Sequence, residues 1–408
     1  MQTRLTPSVQ DSPAGHTAEA ILRSCVHCGF CTATCPTYQL QGDELDGPRG
    51  RIYLIKQMLE GNTISARTRT HLDRCLSCRS CETTCPSGVE YGKLLDIGRQ
   101  HMERRIRRPL AQAFMRKLLR MIIPYPERLR LLLGLAVMVR PLLPEHWRIH
   151  GRRGTNEQPR PVTRQGRSML MLQGCVQSVV SPATNCAAAR LLDRFGIALV
   201  PAPAAGCCGG ISQHLAASGE AREFMRRNID AWWPHIEDGA EAILSSASGC
   251  GAVIKEYGYL LQDDPRYADQ ARRVSSMARD IVEVLEREDL DVLRPAIPRV
   301  IAFHSPCTLQ HGQQLNGRVE SLLQKLGFTL TGVADSHLCC GSAGSYSLLQ
   351  PRLARRLLDA KLKALLAGQP HIIATANIGC QIFLAGKAAV PVVHWIELLD
   401  SGASRNQT

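Results

Sequence analysis

Sixteen of the chain's 17 cysteines fall at spacings that gather thiolates. Cys25, Cys28, Cys31 and Cys35 form C-x2-C-x2-C-x3-C ahead of Pro36, and Cys75, Cys78, Cys81 and Cys85 repeat the pattern ahead of Pro86. In this pattern three thiolates on one tight loop reach three irons of a 4Fe-4S cubane. The fourth, displaced along the chain, serves the other cluster. The expected ligand sets are therefore Cys25, Cys28, Cys31 and Cys85 for one 4Fe-4S cluster, and Cys35, Cys75, Cys78 and Cys81 for a second. Two zinc sites are the alternative, but zinc is usually held by paired CxxC elements rather than by a doubled run.

The C-terminal half carries a second kind of cysteine pattern. Cys175 and Cys207 are 32 residues apart, as are Cys307 and Cys339. Each interval ends on Cys-Cys-Gly, at Cys207-Cys208-Gly209 and Cys339-Cys340-Gly341, and a later apolar run ends at Cys250 or Cys380. The two copies are offset by 132, 132 and 130 residues at these three landmarks, which marks a duplication. The quartets Cys175, Cys207, Cys208, Cys250 and Cys307, Cys339, Cys340, Cys380 are candidates for one or two further clusters or for redox-active thiols. Buried apolar thiols are the bland alternative. Cys186 has no counterpart, since Arg318 stands at the matching place, and it reads as a core thiol in a helix among alanines.

Elements that could position these thiols are legible around them. Between the N-terminal motifs, Asp46-Gly47-Pro48 suggests a helix start. Ile52, Leu54, Ile55, Met58 and Leu59 then recur at helical spacing. A further helix is expected after Val89, with Leu94, Leu95 and Ile97 inward. Each C-terminal copy reads strand, helix, strand, helix, strand, which implies a parallel sheet with helices on its faces. The motif cysteines then fall just past strand carboxyl ends, where open α/β sheets place their ligands. The expected architecture is an α-helical two-cluster ferredoxin module at 14–100, a basic helical segment and linker at 101–167, and two repeated α/β cysteine-rich (CCG) domains at 168–290 and 298–402.

The 408 residues carry a net charge of +13. Residues 99–167 hold seventeen Arg or Lys against four Glu and no Asp, so the whole excess sits there. Leu110, Phe114, Leu118 and Leu119, then Leu129, Leu132, Leu133, Ala136 and Val137, have helical spacing. Pro124, Pro126, Pro141 and Pro144 punctuate the segment. Basic amphipathic helices of this kind can lie in a membrane interface. The apolar face is expected to pack on the cluster module, and the charge, which includes Arg104, Arg105, Arg107, Arg108, Arg140, Arg152 and Arg153, to dock on a membrane surface or an acidic partner. The first twenty residues contain no apolar h-region and no stretch of 18 apolar residues exists, so a cytoplasmic chain is expected, peripheral to the inner face of the cytoplasmic membrane.

Motifs for substrate chemistry are missing from the sequence. No G-x-G-x-x-G follows a strand, and there is no P-loop, G-x-S-x-G or HExxH. Two-electron oxidation of an organic substrate needs a flavin or nicotinamide, which is expected on a partner, with no flavin on this chain. Aromatic residues are 5% of the chain and no stacking platform is evident, so nucleic acid is not expected as a partner. His304, His311, His337 and His394 lie near the second cysteine set. One of them could orient a cluster ligand or pass a proton to a quinone; ordinary polar or buried histidines are the alternative. Trp232 and Trp233 read as helix core.

The runs HCGFCTATCPTYQ, GDELDGPRGRIYL, CLSCRSCETTCPSGV, CTLQH, SHLCCGSAG and TANIGCQ resemble the family of bacterial glycolate oxidase iron–sulfur subunits, over roughly residues 20–400. The wider group, marked by its Cys-Cys-Gly domains, includes subunits of anaerobic glycerol-3-phosphate dehydrogenase, lactate-utilisation proteins and heterodisulfide reductase subunits. The resemblance implies an electron-transfer subunit of an oxidoreductase complex. Its partners would be FAD-binding glycolate oxidase subunits that oxidise glycolate to glyoxylate, and its acceptor a membrane quinone pool. The alternatives are the equivalent subunit of a lactate or glycerol-3-phosphate dehydrogenase, or a thiol/disulfide reductase using the CCG cysteines. Heterodisulfide reductase-like domains carry one more cysteine three residues after the last motif cysteine; here those places hold Val253 and Phe383.

Overall fold

The computed structural model describes residues 1–139, 166–293 and 300–400. Arg140, Pro141, Pro144, Arg152, Arg153 and nearly all of the expected 151–167 linker lie outside the described residues.

The N-terminal module is helical, as its sequence periodicity implies. Ser12 caps the Pro13–Ser24 helix by accepting from the Gly15 amide. Pro48 opens the Pro48–Leu59 helix at the place where a missing N–H costs nothing. That helix packs Ile52, Ile55, Met58 and Leu59 against Leu94, Leu95 and Met102 of the Tyr91–Arg105 helix. Leu54 is only half-buried, and the inward place is taken by Arg51, for an electrostatic reason given below. Both cysteine loops turn through the left-handed region at matching places, His27 and Gly29 in one, Ser77 and Arg79 in the other. These turns wind successive cysteines onto the same side of each loop.

The C-terminal half forms two parallel four-stranded sheets. The first runs β2-β1-β3-β4, from β1 Arg167–Leu172, β2 Ile197–Val200, β3 Ile243–Ser245 and β4 Ala278–Asp280. The second runs β6-β5-β7-β8, from β5 Val300–His304, β6 Thr329–Leu330, β7 Ile372–Thr375 and β8 Val392–His394. The expected three-strand units thus each gain an outer strand. β4 and β8 are three residues long and, unlike β1, β3, β5 and β7, lead to no motif cysteine that would mark them. The two sheets face each other through one shared core that includes Met169, Leu244, Phe303 and Trp395. The contact is also polar: the Ser248 amide donates to Ala376 O at 3.0 Å, and His394 Nε2 lies 2.8 Å from Ser246 O. Trp232 is buried, whereas Trp233 is half-buried and donates to Glu237. Cys186 is buried, as expected of a core thiol.

The basic segment is turned the other way round from its expectation. It forms helices Leu110–Ile122 and Pro126–Val139, and among the described residues no helix is long and apolar enough to cross a membrane. Arg116 Nη2 donates to Asp73 at 2.7 Å, Arg108 Nη2 to the same carboxylate at 2.9 Å, and Arg120 to Glu220 at 2.9 Å. Charge therefore docks the segment onto the protein. Leu119 and Leu129 are buried, but Phe114 is 66% and Leu131 67% exposed, and Leu110, Leu135 and Met138 also face solvent. The acidic anchors Asp73 and Glu220 hold Arg108, Arg116 and Arg120 inward, while Arg104, Arg105, Arg107 and Arg130 stay exposed.

Candidate functional site

The structure brings the N-terminal cysteines together crosswise. Cys25, Cys28, Cys31 and Cys85 line one cavity, which Cys81 also reaches. Cys35, Cys75, Cys78 and Cys81 line a neighbouring cavity. Pro48 and Tyr91 lie on the walls of both cavities. Burial, and then the crowding by Cys25 and Cys85, pushes the Cys31 thiol up to about 11. Burial likewise raises Cys25, Cys78 and Cys81. Clustered buried thiols of this kind ionise only when a cation joins them, so the donor set fits a metal–sulfur cluster.

A polar brace that the cysteine spacing does not reveal holds the second set. Asp46 is fully buried; Arg74 Nη1 donates to it at 2.8 Å, Arg51 Nη2 at 3.4 Å, and His71 Nδ1 lies 3.0 Å away. Arg51 is itself 1% exposed, and also donates to His71 O and to Thr37 Oγ1. Thr37 Oγ1 lies 3.3 Å from Cys35 Sγ, and Tyr91 Oη donates to Cys75 Sγ at 3.5 Å.

Each CCG quartet also converges, at the carboxyl edge of its sheet. Cys175 and Cys207 sulfurs lie 3.6 Å apart, and Cys208 and Cys250 pack in one cluster beside them. In the second unit, Cys307 and Cys339 are 3.9 Å apart and Cys340 and Cys380 are 3.2 Å apart. None of the seventeen cysteines is in a disulfide. The glycine of each Cys-Cys-Gly has a steric reason. Gly209 and Gly341 have φ of +87° and +90°, and an added Cβ would lie 2.9 Å from Ala221 O or 2.6 Å from Ala354 O. Their amides donate to Cys207 Sγ at 3.4 Å and Cys339 Sγ at 3.3 Å.

The quartets are not equally placed relative to the N-terminal module. Leu76 and Cys78 share one apolar cluster with Cys307 and Cys339. Tyr346 Oη donates to Arg74 O at 3.1 Å, and His311 Nδ1 is 2.9 Å from Thr83 Oγ1, with its Nε2 3.2 Å from His337 O. The first CCG unit meets the module farther along, where Gln213 donates to Asp96 at 2.9 Å and Arg79 pairs with Glu256.

Residues 21–89 match the family model of a 4Fe-4S dicluster domain, and residues 169–255 and 301–385 that of a cysteine-rich domain. Over 406 residues, covering 99% of this chain and 100% of the relative, the sequence is 55% identical to the glycolate oxidase iron-sulfur subunit of Escherichia coli (strain K12). The chain belongs to the family of glycolate oxidase iron–sulfur subunits. It is 30% identical, over 94% of its length and 95% of the relative's, to the probable glycolate oxidase iron-sulfur subunit of Bacillus subtilis (strain 168). Lactate utilization protein A of Bacillus licheniformis is 24% identical over 56% of this chain and 96% of its own length. Within the CCG units, Val253 packs on the core beside Cys208, and Phe383 packs against the clusters that contain Cys340 and Cys339. Both places that would offer a fifth thiol are thus apolar filling.

Proposed function

We propose that the chain is the electron-transfer subunit of a glycolate-oxidising complex, with Cys25, Cys28, Cys31 and Cys85 holding one 4Fe-4S cluster and Cys35, Cys75, Cys78 and Cys81 another. The observation that carries it is the crosswise grouping of the eight thiols around two adjoining cavities. A pair of zinc sites built from consecutive CxxC elements would not need cysteines from both runs at each site. When bound, such clusters supply one-electron carriers. The chain's own residues bury Cys25, Cys35, Cys75 and Cys81 away from water, leave Cys28 exposed and, through Tyr91, donate to Cys75. The oxidation of glycolate to glyoxylate belongs to flavin-bearing partner subunits, from which this chain receives electrons and hands them toward a membrane acceptor such as quinone. The test is glycolate-driven bleaching of the chain's visible absorbance under anaerobic conditions, with and without those partners.

Attachment to the inner face of the cytoplasmic membrane is part of the same proposal. The exposed apolar side chains Phe114, Leu131, Leu135 and Met138 would enter the interface, flanked by the exposed Arg104, Arg105, Arg107 and Arg130. The double variant Phe114→Asp/Leu131→Asp is expected to lose flotation with anionic liposomes, and Arg104, Arg105 and Arg107 changed to Gln to weaken it. Unchanged flotation in both would remove the membrane from this reading.

A further inference from the structure

The second CCG unit holds a donor that the first lacks. His304 ends β5, three residues before Cys307. It is 2% exposed, and its Nε2 is buried with no hydrogen-bond partner. A ring nitrogen of His304 and the sulfurs of Cys340 and Cys380 all lie within 4.8 Å of one another. Leaving a buried polar nitrogen unsatisfied costs about 1–3 kcal/mol, so a fold that keeps it there has a use for it.

A buried cation accompanies the triad. Lys361 is 3% exposed and donates to Asp335 O at 2.7 Å, on the loop that leads to Cys339 and Cys340, and burial lowers its pKa from the ordinary lysine value. A buried ammonium is costly unless negative charge lies close by, and a thiolate-bound centre supplies that charge. The first unit has neither feature. Leu172 ends β1 where His304 ends β5, and neutral Asn228 stands seven residues after Ala221, as Lys361 stands seven after Ala354.

We propose that His304 is a metal ligand, joining Cys340 and Cys380, with Cys307 and Cys339 beside them, in an iron–sulfur centre of mixed thiolate and imidazole ligation. The centre adjoins the second N-terminal set, because Cys307, Cys339 and Cys78 share one apolar cluster. Replacing a thiolate with a neutral imidazole makes a centre less negative and raises its potential. Its place as a further electron carrier rests on the function proposed above; the ligation itself does not.

The test uses the full chain, prepared anaerobically with 15N-labelled histidine, reduced, and studied by pulsed electron paramagnetic resonance with iron and zinc counted. Iron beyond the roughly eight atoms of two cubanes is expected, together with nitrogen coupling to a reduced centre. His304→Leu, which copies the first unit and is therefore compatible with this strand end, is expected to abolish the coupling and the extra iron. His304→Cys is expected to keep the iron, lose the coupling and lower the potential of that centre. No nitrogen coupling with about eight irons per chain, or zinc that is lost in His304→Leu, would overturn the proposal while leaving the two-cluster function standing. Fewer than about eight irons in the unmutated chain would instead count against the two-cluster function.

Discussion

Cys78→Ala is expected to remove about four irons per chain, one cubane's worth, and to cut glycolate-dependent dye reduction by the assembled complex to the background of direct leakage from the partner's flavin. The reason lies in where Cys78 sits. It lines the second cavity, shares an apolar cluster with Cys307 and Cys339, and burial raises its thiol well above the ordinary range. Without metal the buried thiols stay protonated, and metal binding must displace those protons. Iron retention is therefore expected to fall as pH is lowered. Cys186→Ala is the matched control, since that thiol is also buried but packs in the CCG core away from either cavity. Equal iron in Cys78→Ala and Cys186→Ala would reject the assignment of Cys78 as a ligand.

Asp46→Ala is expected to destabilise the N-terminal module by about 3–5 kcal/mol, the usual cost of leaving a buried charge without its partner. Arg51 is enclosed; burial opposes its charge, and the Asp46 carboxylate beside it helps to hold its guanidinium protonated. Removing Asp46 takes away the acceptor shared by Arg51, Arg74 and His71 at once. Because Thr37 links this brace to Cys35, the variant is also expected to lose its visible absorbance faster in chelator. Thermal melting followed by circular dichroism and by absorbance checks both effects. An unchanged midpoint would mean that the Arg51 charge is satisfied elsewhere.

Much of this arrangement was legible because cysteine spacing encodes it directly. A C-x2-C-x2-C-x3-C run fixes which sulfurs a loop can bring together, and the 132-residue offset of the Cys-Cys-Gly landmarks exposes the duplicated sheet. The Asp46 brace was not legible, because His71 lies 25 residues from Asp46 and a buried ion pair has no periodicity. β4 and β8 escaped because these short outer strands run into no motif cysteine. The basic helices show a different limit. Amphipathic spacing reveals that a helix has two faces but not which one is covered, and Arg116 and Arg120 are held inward by Asp73 and by Glu220, which lies 100 residues from Arg120. His304 was visible only as one histidine among several near the second quartet. Its orphaned Nε2, and the approach of a ring nitrogen to Cys340 and Cys380, are properties of packing.

In the function we propose, the eight N-terminal cysteines make this chain an electron carrier fed by glycolate oxidation on its partners. The most direct measurement is the visible spectrum of the anaerobic, metal-quantified chain before and after glycolate is added. The account predicts at least about eight irons with matching sulfide, broad brown absorbance, no response of the isolated chain to glycolate, and bleaching when the flavin-bearing partners are present. Zinc in place of iron, or an absorbance that glycolate leaves unchanged in the assembled complex, would contradict it.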